Sequence, residues 1–108
     1  MKTRMLLILI FLATNNANAE TEKDELCANM SALAETIMKN RQQGVAMADA
    51  MKILNSPSKE MQSIKEVARL LVVDAYSKNR WQTPEMVKRE IEDFRDSAYL
   101  ACLKGWQK

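Results

Sequence analysis

The chain has 108 residues, with 16 basic and 14 acidic side chains, two cysteines and no histidine. This length suits one small domain. Without histidine the chain lacks the usual general base of hydrolases and the commonest zinc ligand, so we predict no catalytic residue, no metal site and no cofactor.

The amino-terminal segment, residues 1–19, has the pattern of a secretory signal peptide. Lys2 and Arg4 precede an apolar run of about nine residues, which is too short to span a membrane. The small residues Ala17-Asn18-Ala19 follow, so cleavage is expected before Glu20; an uncleaved membrane anchor is the alternative. Without Lys2 and Arg4 the basic residues equal the acidic ones in number, and nothing in the charge favours nucleic-acid binding.

The rest of the chain, 20–108, is predicted to be a single all-α domain of about four helices. The acidic residues of 20–25 are expected at the front of the first helix, where they suit its dipole. Gly44 is expected to end that helix in a left-handed conformation. The predicted inner face repeats at helical spacing and comprises Leu26, Cys27, Met30, Leu33, Ala34, Ile37 and Met38.

Three more helices are predicted after this one. A short helix covers 47–54, a third covers 57–77 with Ser56 as its cap, and a fourth opens at Thr83-Pro84 and ends at Gly105. No segment shows the alternation of a strand. The predicted inner faces are Met61, Ile64, Val67, Ala68, Leu71 and Ala75 in the third helix, and Val87, Ile91, Phe94, Ala98 and Cys102 in the fourth.

The two cysteines predict a disulfide between the first and last helices after residue 19. Cys27 and Cys102 both lie on the predicted core face of their helices, and thiols in exported domains normally oxidise. A catalytic thiol would need a histidine base or a CxxC pair. The chain has neither, which favours a structural bridge.

Two charged residues lie on predicted apolar stripes. Arg41 continues the heptad row of Cys27 and Ala34, and Asp74 follows Leu71 by three residues. A half-buried charge requires a partner, so Arg41 and Asp74 are predicted to form an ion pair at the edge of the bundle, or each to be held by backbone groups. The alternative is that Arg41, Gln42 and Gln43 form a recognition loop.

A candidate interaction surface lies at the helix ends and joints. Side chains there reach a partner without loss of core packing, and arginine and tryptophan often carry interface energy. Trp81 and Trp106 suit a lid over the end of the bundle equally well. The predicted surface comprises Arg41, Gln43, Tyr76, Arg80 and Trp81.

Three segments are distinctive: IMKNRQQGVAMADAMKI, VVDAYSKNRWQTPEMVKREIEDF and AYLACLK. Their most specific pieces are Arg41-Gln42-x-Gly44-Val45, Asp74-Ala75-Tyr76, and Phe94 with the late Cys102. These pieces resemble a group of small exported proteins of Gram-negative bacteria and their phages or prophages. The resemblance covers most of the chain after residue 19 and implies export, one disulfide and an all-α fold. It implies no activity, so no functional residue is transferred.

The sequence predicts a periplasmic or secreted protein that binds another envelope protein, as an inhibitor, an immunity-like protein or a phage-related module. A periplasmic chaperone or stress protein is the alternative, by analogy of size and architecture with small disulfide-bonded periplasmic proteins. A small enzyme is the third hypothesis and would depend on carboxylate pairs such as Glu90 and Asp93. Such pairs on a helix are usually solvated, so the protein is predicted not to be an enzyme.

Overall fold

The computed structural model describes the backbone of residues 2–105 and the side chains of residues 21–105. The side chains of the predicted signal peptide, and Trp106, lie outside these ranges. The described residues contain no strand, which confirms the all-α class. The elements are the helices α1 (Lys2–Gln42), α2 (Met47–Ala50), α3 (Lys59–Ser77) and α4 (Pro84–Gly105), with a 3-10 turn, Met51–Asn55, between α2 and α3.

The carboxyl end of α1 has the predicted structure. Gly44 has a φ of 82°, a conformation in which side chains with a Cβ are disfavoured. The Val45 amide donates to the Asn40 carbonyl at 3.0 Å, and the Gly44 amide donates to the Arg41 carbonyl at 3.2 Å. These bonds form a Schellman motif, which satisfies carbonyls that the end of the helix leaves free.

The start of α1 differs from the prediction. The helix begins at Lys2, so the acidic residues of 20–25 lie inside it and not at its front. Leu26 is the first of its described side chains to be partly buried, and Cys27 is fully buried. The amphipathic spacing therefore marks the point where α1 first contacts the rest of the domain. It does not mark the start of the helix.

The sequence predicts a hydroxyl side chain as the amino-terminal cap of both α3 and α4. The α4 prediction is confirmed, since the Met86 amide donates to the Thr83 hydroxyl at 3.3 Å. The α3 prediction is wrong by two residues. Ser58, and not Ser56, accepts the Met61 amide at 3.1 Å, and α3 starts after it. Ser58 directly precedes the first residue of α3, whereas the Ser56 hydroxyl accepts the Ser58 amide at 3.4 Å.

The core lies where α1 packs against α3 and α4. Within the described residues α3 and α4 have almost no direct contact with each other, so α1 is the central element. Val72 is fully buried although the sequence did not place it inside, and Val67 is 42% exposed although the sequence did. The buried cluster comprises Ala34, Ile37, Met38, Ala50, Val72, Ala75 and Phe94.

The predicted disulfide is confirmed. Cys27 of α1 and Cys102 of α4 are bonded across a sequence separation of 75 residues, with their Cα atoms 5.5 Å apart. Cys27 is fully buried and Cys102 is half-buried, with its Sγ 3.6 Å from the Sδ of Met30. The bond joins the first and last helices directly, and α3 depends on noncovalent packing against α1.

Candidate functional site

Two regions of the domain have features of a functional site, and they lie at different places along the bundle. The first, called the joint end here, consists of residues 41–45 at the end of α1 and residues 76–81 at the end of α3. The second, called the groove, is an apolar depression between α3 and α4. The predicted interaction surface falls in the joint end, whereas sequence reasoning missed the groove.

Gln42 is at the centre of the joint end. Its side chain is only 6% exposed and uses both ends of the amide. The Nε2 group donates to the Asn79 carbonyl at 2.8 Å, and Oε1 accepts the Trp81 backbone amide at 2.9 Å. A buried amide that satisfies two backbone groups of another segment fixes that segment's position. Gln42 therefore holds the α3–α4 joint against the end of α1.

The signal for this role was present in the sequence. Gln42 follows Met38 by four residues and Ala34 by eight, so it continues the buried row of α1. Sequence reasoning selected Arg41 as the polar residue on the buried stripe. On a straight helix the heptad spacing drifts by only about 20° per seven residues, so Arg41 stays near the buried row, and its guanidinium reaches the Lys78 carbonyl there.

Arg41 and Arg80 make reciprocal contacts across the joint end. Arg41 donates from Nε and Nη2 to the Lys78 carbonyl, at 3.2 and 3.0 Å, just after α3 ends. Arg80 donates from Nε to the Gln42 carbonyl at 3.0 Å, at the last residue of α1. Each guanidinium thus lies at the negative end of a helix dipole. This arrangement explains why neither arginine forms an ion pair among the described residues.

Two further contacts close the joint end. The Tyr76 hydroxyl donates to the Val45 carbonyl at 2.7 Å, and the Arg41 guanidinium lies 5.4 Å from the centre of the Tyr76 ring. Burial raises the pKa of Tyr76, and Arg41 opposes this rise. The guanidinium of Arg80 covers Gly44, where an added Cβ would come within 2.8 Å of Nη2. Arg41, Tyr76 and Arg80 are therefore all engaged in contacts within the chain.

The predicted ion pair of Arg41 with Asp74 is wrong in this structure. Asp74 is not desolvated, because its side chain is 59% exposed and its carboxylate lies 3.8 Å from the ammonium of Lys78. Lys78 lies one helical turn after Asp74, at the start of the joint. The two side chains are neighbours along the helix, so Asp74 pairs with Lys78 and not with Arg41. The alternative prediction describes Arg41 correctly, since a backbone carbonyl holds its guanidinium.

Trp81 and Gln43 complete the predicted surface. Trp81 is half-buried, and its indole nitrogen donates to a carboxylate oxygen of Glu90 at 3.3 Å. Gln43 is exposed, with its backbone amide bonded to the Lys39 carbonyl at 2.9 Å. The structure thus brings all five predicted residues to one end of the bundle. Most of their polar groups face the chain itself, and Gln43 is the freest for another molecule.

The groove lies above α1, in the space that separates α3 from α4. It has a volume of about 490 Å³, and serine supplies its single polar side chain. Val67 lines it while remaining 42% exposed, so apolar surface there is in contact with solvent. The lining residues are Leu26 and Met30 of α1, Ser63, Ile64, Val67 and Leu71 of α3, and Ala98, Ala101, Cys102 and Gly105 of α4.

A second cleft, of about 460 Å³ between α1 and α4, differs from the groove in its charge. Its rim carries Glu35 and Lys39, which are paired at 3.7 Å, and Lys88 and Glu92, also paired at 3.7 Å. Arg95 also lines this cleft and lies 3.9 Å from a carboxylate oxygen of Glu35, so each charged residue of the rim has a partner of opposite sign. The groove has no charged lining residue, and the chemistry that it supports is the burial of apolar groups.

No protein-family model matches this chain, and no curated protein or solved structure is detectably similar to it. The structure itself defines an all-α helical bundle with a disulfide between its first and last helices. Among the described residues, no group of three metal-ligating side chains comes together. In that same part of the chain, no helix has the length and hydropathy needed to cross a membrane.

Proposed function

We propose that this protein is an exported module that binds another protein of the cell envelope through the groove. The carrying observation is the uncovered apolar surface that three helices contribute to one depression. Concave sites that are lined mainly by apolar side chains are the usual places where proteins bind other molecules. The groove replaces the joint end as the proposed contact surface, because the joint-end side chains are occupied by their own backbone.

Export is part of the proposal and rests on two observations. Residues 1–19 have the charge and hydropathy pattern of a signal peptide, and the cysteines are joined in a disulfide. Disulfides persist in oxidising compartments such as the periplasm. The proposed setting is therefore the periplasm or the exterior. The resemblance to small exported proteins of Gram-negative bacteria and their phages agrees with it.

A photo-crosslinking amino acid in the groove tests the proposed function. We expect the chain with this amino acid in place of Val67, expressed in its exporting cell, to form one adduct of defined mass upon illumination. The same replacement at Arg80 of the joint end should give no such adduct. Purified partner, identified from the adduct by mass spectrometry, should then form a one-to-one complex with the chain in solution.

The crosslinking pattern also separates binding from the chaperone alternative. A chaperone would give many adducts of different mass from Val67, which increase when cells are exposed to acid or heat. A single adduct from Arg80, with none from Val67, would move the contact surface to the joint end. Absence of adducts from both positions, in cells that export the protein, would contradict the proposed function.

A further inference from the structure

The two cysteines of the disulfide differ in exposure. Cys27 has no surface in contact with solvent, whereas Cys102 is half-buried. A thiolate opens a disulfide by attacking one of the two sulfur atoms, so the choice of sulfur depends on access. Attack on Cys27 requires the bundle to open first. Attack on Cys102 requires only a path from solvent to its Sγ atom.

The groove provides this path. Cys102 of α4 lines it, and so does Met30 of α1. The Sγ atom of Cys102 lies 3.6 Å from the Sδ atom of Met30, so this sulfur of the disulfide lies at the groove wall. Cys102 does not line the cleft between α1 and α4 that carries Glu35 and Lys39. The volume of the groove, about 490 Å³, is sufficient for a small thiol compound.

The same disulfide anchors one wall of the groove. Among the described residues α3 and α4 have almost no direct contact, so α1 supports the α4 wall. The Cys27–Cys102 bond is the covalent part of that support. Loss of the bond therefore leaves the α4 wall attached to α1 by noncovalent packing alone. This wall comprises Ala98, Ala101, Cys102 and Gly105.

The last turns of α4 bury little surface of their own. Phe94, the buried residue of α4, lies eight residues before Cys102. Leu100 is 52% exposed and Ala101 is also exposed. A Cβ added at Gly105 would meet no atom within 4 Å. Segments with few buried contacts open locally at low cost in free energy, so the end of α4 depends on the disulfide more than its first half does.

We propose that Cys102 is a site of thiol–disulfide exchange, reached through the groove, and that exchange there releases the α4 wall from α1. The attacking thiolate bonds to Sγ of Cys102 while the Cys27–Cys102 bond breaks. Cys27 leaves with the electron pair of that bond and takes up a proton. The second thiol of a dithiol reductant then displaces the sulfur of Cys102, so both cysteines are reduced and the reductant becomes a disulfide.

Exchange at Cys102 and occupation of the groove compete for the same surface. An occupant that covers Cys102 keeps thiols away and therefore slows reduction of the bond. By linkage, reduction that releases the α4 wall lowers the affinity for the occupant. This consequence rests on the proposed function, whereas the exchange site itself depends on no partner.

Reaction with mercaptoethanol identifies the attacked sulfur. The oxidised, folded protein is incubated with this monothiol, exchange is stopped with acid, and the adduct is located by peptide mass spectrometry. We expect the adduct on Cys102 in at least about tenfold excess over Cys27, which corresponds to about 1.4 kcal/mol in activation free energy. The same reaction in concentrated urea, where both sulfurs are accessible, should give comparable amounts of the two adducts.

Matched tryptophan variants test the route through the groove. Val67 and Val73 both lie on α3 and are 42% and 43% exposed, and of the two only Val67 lines the groove. Val67→Trp should slow reduction by dithiothreitol several-fold, whereas Val73→Trp should leave the rate unchanged. Alkylation and intact mass follow the reduction. Ala101→Leu, also in the groove lining, is the second blocking variant if circular dichroism shows that Val67→Trp does not fold.

Low concentrations of urea separate attack on the folded protein from attack after unfolding. Reduction through the groove should change little below the unfolding transition. Reduction that requires the unfolded chain would increase with urea in proportion to the unfolded fraction.

Hydrogen exchange measured by mass spectrometry tests release of the α4 wall. The oxidised and the reduced protein are compared at a temperature at which both are folded. Amides of residues 98–105 should exchange faster after reduction, whereas those of residues 87–94, around Phe94, should change less.

Three results would overturn the inference. Equal adducts on the two cysteines of the folded protein, or none under conditions in which the unfolded protein reacts, would show that Cys102 is not the accessible sulfur. A rate that both Val67→Trp and Ala101→Leu leave unchanged, or that follows the unfolded fraction, would reject the groove as the route. Unchanged or uniformly faster hydrogen exchange after reduction would reject selective release of the α4 wall. Failure of the proposed function appears in the cellular crosslinking experiment and alters none of these results.

Discussion

The joint end and the groove hold neighbouring helices together by different kinds of bond. At the joint end, polar side chains donate to the carbonyls of a neighbouring segment, and Gln42 is buried in the middle of them. At the groove, a disulfide joins α1 to α4, while apolar side chains of α3 remain open to solvent. A covalent bond holds the helices together without covering the surface between them. The covalently closed region is therefore the one with apolar surface left for binding.

The comparison also changes how the polar and aromatic residues at the helix ends are interpreted. Arginine, tyrosine and tryptophan at helix ends are typical of interfaces, and sequence reasoning selected them for that reason. In this structure Arg41, Tyr76 and Arg80 complete hydrogen bonds that the ends of α1 and α3 leave open. Their chemistry serves the chain's own backbone, and the surface proposed for binding consists of plain aliphatic residues.

The largest predicted effect concerns the disulfide near the groove. Replacement of Cys27 and Cys102 together by alanine should lower the free energy of unfolding by about 4 kcal/mol, because the bridge closes a long loop in the unfolded chain. Urea denaturation monitored by circular dichroism measures this loss. Reduced wild-type protein should show a similar loss. If stability were unchanged in both, noncovalent packing alone would hold α1 and α4 together.

At the joint end the largest effect should come from Gln42. Gln42→Ala leaves the Asn79 carbonyl and the Trp81 amide without their partners and should cost about 2 to 3 kcal/mol. The adjacent change Gln43→Ala, at an exposed side chain, should cost less than about 0.5 kcal/mol. Thermal and urea unfolding of the two variants make the comparison. Equal effects would mean that the buried amide does not hold the joint.

Tyr76 gives a smaller effect that depends on pH. Loss of its hydrogen bond to Val45 in Tyr76→Phe should cost about 1 kcal/mol near neutral pH. The raised pKa in the folded state means that the native protein retains this proton more strongly than the unfolded chain. Its contribution is thus complete below about pH 10 and is lost as the pH rises through the folded-state value.

Unfolding measured between pH 8 and 11 tests this sign. Wild-type stability should fall more steeply above pH 10 than that of Tyr76→Phe. A fall of the same steepness in Tyr76→Phe would show that Tyr76 does not cause the alkaline loss.

The smallest predicted effect is the coupling between Arg41 and Asp74. Since their charged groups have different partners, Arg41→Ala and Asp74→Ala should be additive within about 0.3 to 0.5 kcal/mol in a double-mutant cycle. The cycle of Arg41→Ala with Tyr76→Leu is the positive comparison, because Tyr76→Leu removes the ring that the guanidinium lies near. Strong coupling in the first cycle would restore the ion pair that the sequence suggested.

The parts of the fold that were predictable from sequence depend on local rules. The Thr83 cap, the left-handed Gly44 and the disulfide of Cys27 with Cys102 follow from spacing and residue type, and all are confirmed. The exposure of Val67 was not predictable in this way. The helical period predicts that Val67 lies beside the core. Its side chain is exposed to solvent because α3 and α4 are separated from each other.

The candidate site was less predictable than the fold. Gln42 follows the buried Met38 by about one helical turn, yet its role also needs the 78–81 joint to pass close to the end of α1. The groove requires three helices whose relative placement no local pattern encodes. The predicted ion pair of Arg41 with Asp74 failed for a local reason, because Lys78 lies one helical turn after Asp74 and pairs with it instead.

The central claim is that the groove binds and the joint end stabilises, and one paired measurement tests it most directly. Val67→Lys and Gln42→Ala are each assayed for the free energy of unfolding and for affinity to the partner identified by crosslinking. Val67→Lys should retain stability within about 0.5 kcal/mol and lose at least about tenfold in affinity. Gln42→Ala should lose stability and, at a temperature where it is folded, retain affinity. The reverse result, with affinity lost in Gln42→Ala and retained in Val67→Lys, would contradict the account.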